Sequence, residues 1–182
     1  AGSESESAIR QASLEAGVKY MVQSAVGSVF VLFAIALVFT QTGTLALDEI
    51  RVLEPSGLPI LAAGALFIVG FGVKAALVPL HTWLPDAHSM APSGISAMLS
   101  GVVIETGLVA LLRSLGALTV FSGQWGALLL GLGALNMLIG NFLALRQTQV
   151  KRLLAFSSLA HIGYMLVGFG AGLTYGGIVV KW

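Results

Sequence analysis

Cysteine is absent from the 182 residues, and only 9% of them are charged, against roughly a quarter in an ordinary soluble domain. The first absence excludes disulfides and thiolate-held zinc or iron–sulfur centres, so redox chemistry of that kind would belong to another chain. The second excludes a polar outer shell. With 57% hydrophobic residues and a mean hydropathy of +0.94, the chain reads as an integral membrane protein, apolar inside and out. A formal net charge of +1 without a basic patch gives no reason to invoke nucleic acid. The opening AGSESESAIRQASLEAG lacks the basic-then-apolar order of a signal peptide and is expected to form a polar, solvated arm over residues 1–17.

What is present is a series of apolar stretches near the ~20 residues that cross a bilayer as a helix. They run from about Lys19 to Thr40, Leu58 to Val78, Ser93 to Leu115, Gln124 to Leu145 and Leu153 to Leu173. The expected fold is therefore all-α, about five transmembrane helices in a single domain over residues 18–182. The links QTGTLALDEIRVLEPSG, PLHTWLPDAHSMAPSG and RQTQVKR are expected to be surface or interfacial segments. The 23 glycines follow no phosphate-binding or dinucleotide pattern and fit close helix packing instead.

Basic residues in short loops favour the cytoplasmic side. Arg146, Lys151 and Arg152 place the last link inside, which puts the amino-terminal arm inside as well. The acidic link with Asp48, Glu49 and Glu54 then lies outside.

Against this apolar background a few residues stand out. Lys74 sits inside the second span with a long apolar run before it, where a charge costs a few kcal/mol on insertion scales. Either it snorkels to the headgroups or it lies beside a cavity. Pro79 favours the cavity, because proline breaks or kinks the second span and frees carbonyls that membranes tolerate only next to protein or water. A lysine in such a place can gain and release a proton. Glu105 lies nearly mid-span and needs a partner, as a structural ion pair or a conducting group, with Lys74 the nearest candidate. His161 is flanked by Ser157, Ser158 and Tyr164 and is either a hydrogen-bonded packing residue or a proton relay. Asn136 and Asn141 would bridge helices or line a wet path. His81, His88 and Asp86 surround a proline turn with spacing that fits capping rather than a metal site.

The stretches FGVKAALVPLHTWLPDAHSMAPSGISAMLSGVVIETGLVALLR and QTQVKRLLAFSSLAHIGYMLVGFG resemble the core of the antiporter-like membrane subunits of respiratory complex I. That family includes Mrp-type sodium/proton antiporter subunits and membrane subunits of energy-converting hydrogenases. The resemblance extends from about Leu14 to Gly172 and implies that the spans match the sixth to the tenth helix of the family. It implies that Lys74 is the central proton-carrying residue of a half-channel, and that His161 lies near the polar axis of the membrane arm. Two features depart from the family. Many relatives carry lysine, as in KTG, where this chain has Glu105 in IETG. The family's partner glutamate on the preceding helix and its terminal relay residue are also missing, as in a partial or reduced member.

The function these residues point to is proton translocation in a redox-driven complex, by transfer along Lys74, Glu105 and His161 through water, with no cofactor in this chain. The expected partners are other membrane subunits, the bilayer, and protons or sodium. The alternatives are an Mrp-type sodium/proton antiporter subunit, a non-conducting membrane scaffold, and a membrane partner in inorganic-carbon uptake. No quinone site can be read from these residues.

Overall fold

The computed structural model describes residues 2–175, with side chains from 6 to 174. The final stretch, beyond Tyr175, lies outside them. The described residues are helical, with short connections. In order they form α1 (Gly2–Thr42), α2 (Leu47–Leu53), α3 (Leu58–Lys74), α4 (Trp83–Met90), α5 (Ser93–Met98), α6 (Ile104–Ala117), α7 (Ser122–Leu145) and α8 (Val150–Tyr175). A π-helical turn, Leu99–Val103, joins α5 to α6, and a short 3₁₀ turn, Thr119–Phe121, precedes α7.

Four helical stretches are long and apolar enough to cross a membrane: Glu6–Thr42, Ser93–Ala117, Thr119–Leu145 and Val150–Thr174. The fifth crossing is the broken one. At 17 residues α3 reaches about 25 Å, short of the ~30 Å hydrocarbon core. The expectation of a break near Pro79 therefore holds, with α3 ending at Lys74 rather than Val78.

Local rules explain these boundaries. Pro59 sits in the first turn of α3, where its missing N–H costs nothing. At the other end Ala76 adopts a left-handed φ of 53°, a strained conformation for a residue with a Cβ. Pro79 then prevents the helix from resuming at once. Glu54, also left-handed at φ 44°, stops α2.

The link PLHTWLPDAHSMAPSG, expected to be surface or interfacial, is exposed in part and buried in part. Trp83, Leu84 and His88 of α4 are buried, and so is the whole run Ala75–Val78 that precedes Pro79. The reason is tertiary: α4 lies in a seat formed by α1 on one side and α8 on the other. The first acidic link behaves as expected, since α2 is largely exposed apart from Ile50.

Without water between helices, association in a bilayer depends on close van der Waals packing. The tightest seam joins α7 to α8. A Cβ added at Gly133 would stand 2.8 Å from the Gly163 carbonyl oxygen, and one at Gly163 would stand 2.7 Å from that of Gly133. Elsewhere α3 packs between α1 and α6, and α2 rests on α6.

Candidate functional site

The break in the second crossing gathers the unusual groups. Lys74 is the last residue of α3, partly buried. Beside it lies a cavity of about 40 Å³ bounded by Tyr20, Ser24, Val73, Lys74, Trp83 and Val103, more than the ~10–15 Å³ one water requires. Its lining is mainly apolar, with Tyr20 and Ser24 contributed by α1. Gly107 of α6 lies against the same corner. A Cβ there would come 3.0 Å from Lys74 Cβ and 3.1 Å from the Ala75 nitrogen, so α6 approaches the break as closely as its backbone allows.

The backbone groups freed by the break find partners both nearby and on a distant helix. Trp83 Nε1 donates to the Val73 carbonyl at 2.8 Å, and the Leu77 N–H reaches the Gly72 carbonyl at 2.8 Å. The Val78 N–H donates to Asn136 Oδ1 of α7 at 2.8 Å, and Asn136 is fully buried. In hydrocarbon an unpaired group of this kind would cost several kcal/mol, and Asn136 satisfies it by joining α7 to the connection between α3 and α4. Asn141, five residues on, projects from a different part of the helix and is exposed.

Glu105 is placed otherwise than expected. Among the described residues neither Lys74 nor Glu105 has an ion-pair partner. Gly107, not Glu105, faces Lys74, and Glu105 is exposed on the flank of α6. Glu105 and Gly107, two residues apart, lie on nearly opposite sides of α6, and a π-helical turn, Leu99–Val103, precedes them. On that turn Ser100 Oγ lies 2.7 Å from Ser158 Oγ of α8.

His161 and Tyr164 form an edge-on ring pair, with centroids 6.0 Å apart, on an exposed strip of α8. Ser157 is partly buried next to Ser158. The chain thus brings Lys74, Tyr20, Ser24 and the Pro79 break together, with Asn136 holding the break, and leaves Glu105 and His161 on outward faces. Sequence reasoning missed Tyr20 and Ser24. Their only local signal is a pair of hydroxyls one helical turn apart in an apolar span.

The family model for the transmembrane region of NADH:quinone oxidoreductase and Mrp antiporter subunits matches residues 7–180. The chain belongs to this family. The antiporter-like chain is 39% identical over 175 residues to NADH-quinone oxidoreductase subunit N of Deinococcus radiodurans, covering 93% of this chain and 36% of that protein. Among solved structures, respiratory complex I from Thermus thermophilus with bound aureothin superposes with a TM-score of 0.74 at 36% identity, over 86% of this chain and 34% of that one. The Mrp complex from Dietzia sp. superposes with a TM-score of 0.79 at 26% identity, over 86% and 29%. The antiporter-like chain spans little more than a third of the length of the curated relatives it matches. His88 Nδ1 lies 2.6 Å from Ser96 Oγ, a side-chain contact between α4 and α5 rather than the cap expected here, since neither helix has a side-chain cap hydrogen bond; no group of three metal-binding side chains occurs among the described residues.

Proposed function

We propose that this chain is part of a proton-translocating membrane subunit in a redox-driven, complex I-like assembly, and that Lys74 is its proton-carrying group. The observation that carries the reading is the position of Lys74 at the end of a broken helix, on a cavity that Tyr20 and Ser24 help to line and with no carboxylate paired to it among the described residues. A lysine locked in an ion pair would hold its proton. One beside a cavity large enough for water can exchange it.

Glu105 and His161 extend the path. Both are exposed on this chain, and a bare carboxylate inside a crossing costs about 2.5–3.5 kcal/mol on insertion scales. Their faces therefore fit against other membrane segments, where water and polar side chains would link them to Lys74. Ser157, Ser158 and Tyr164 border that route, and Asn141 marks another polar spot on the outward surface. The chain supplies no redox centre of its own in this reading, and electron transfer occurs in partner subunits. The amino-terminal side faces the cytoplasm.

The likeness to the Mrp complex supports a second reading, sodium/proton exchange. Reconstituting the purified assembly in vesicles separates the two. Proton movement coupled to electron transfer and indifferent to sodium is expected. Exchange that needs sodium, in an assembly without iron–sulfur partners, would replace the first reading with the second, and absence of any proton movement would remove both.

A further inference from the structure

An eight-residue helix cannot hold itself together, so the position of α4 is decided by what grips it. At its amino end the grip is on α1 and α3. Trp83 Nε1 holds the Val73 carbonyl, the Trp83 ring lies 4.9 Å from that of Tyr20, and Gln23 Nε2 donates to Thr82 Oγ1 at 2.9 Å. Trp83 and Tyr20 are also walls of the cavity at Lys74. Any shift of α4 therefore reshapes that cavity.

One turn after Trp83 comes Asp86. Its Oδ2 lies 3.3 Å from Lys19 Nζ of α1, and its Oδ1 accepts from Arg152 of α8. Lys151 adds a bond of 2.8 Å to the Ala91 carbonyl just past α4. Both cations stand in the first turn of α8, the end where the helix dipole disfavours positive charge. Their partners around α4 explain that placement. Lys19 has a second acid, Glu15 at 2.7 Å, whereas Asp86 is the only acid paired with Arg152 among the described residues. The carboxylate thus joins three elements, and without it two cations would be left facing one another.

We infer that Asp86 is a positioning residue for proton transfer at Lys74: by bridging Arg152 and Lys19 it fixes the seat of α4 and so the shape of the cavity. The inference rests on the function proposed above, but its structural half can be read independently. In the intact assembly containing the full-length subunit, Asp86→Asn, Asp86→Glu and Lys74→Ala are compared by two measurements, the rate of proton transport in vesicles and the amide hydrogen exchange of residues 75–83. Asp86→Asn is expected to slow transport by about tenfold or more, the scale on which misplacement acts, and to speed exchange across the break. Asp86→Glu is expected to recover most of both. Unchanged transport and exchange in Asp86→Asn would overturn the inference. So would slow transport with unchanged exchange that Asp86→Glu does not restore, since the carboxylate would then act in its own right. Should Asp86→Asn block assembly, Arg152→Gln takes its place, and unchanged exchange over 75–83 would again overturn the inference. Full transport in Lys74→Ala would remove the proposed function while leaving the exchange data to decide how α4 is held.

Discussion

Asn136 shows how much one buried side chain decides when the surroundings are hydrocarbon. Its Oδ1 is the acceptor for the Val78 N–H in the middle of the broken crossing. Replacement by leucine keeps the volume and removes the acceptor, leaving a buried donor unpaired at a cost of about 1–3 kcal/mol. The thermal midpoint of the detergent-extracted assembly should fall accordingly, and an unchanged midpoint would mean that the break is held by other groups. Lys74 and Pro79 were legible in the sequence, because the cost of a charge in lipid and the missing N–H of proline are properties of single residues. The pairing of Lys74 with Glu105 was not. It rested on the two residues lying on adjacent spans, and which face of α6 meets α3 is settled by packing: Gly107 lies against Lys74, and Glu105 lies on nearly the opposite side. Tyr20 and Ser24 were invisible for a related reason: their role depends on where α1 lies, and nothing local to them specifies that.

Among elements, the long helices were readable from length and hydropathy, and the observed ends of the continuous helical stretch Ser93–Ala117, of α7 and of α8 lie within a few residues of the expected apolar stretches. The short helix α4 was not readable. Its sequence is punctuated by Pro85 and carries Asp86 and His88, which suggests a surface link, and its burial comes from partners 66 residues away such as Arg152. The α7–α8 seam gives a sharper test of packing. Gly133→Leu forces a side chain into the Gly163 backbone and should prevent this pair from closing, seen as loss of the subunit from the purified assembly. Gly131→Leu, where an added Cβ meets nothing within 4 Å, should be tolerated by this chain. Equal loss in both would show that glycine serves something other than close approach.

For the whole molecule, orientation and transport are the claims at stake. Because the chain has no cysteine, a single introduced one reports its own side of the membrane. Thr148→Cys, in the basic link, should react with an impermeant maleimide only after the cells are opened, and Ser56→Cys, after the acidic link, should react in intact cells. The reverse pattern would invert the assigned topology. The family assignment rests on nearly the full chain, residues 7–180, whereas proton translocation rests on one lysine beside one cavity. Proton transport by the intact assembly in sealed vesicles, with Lys74 replaced by alanine, tests that claim most directly. The account predicts that assembly and electron-transfer partners are retained while proton movement through this subunit is lost; transport at the parent rate would contradict it.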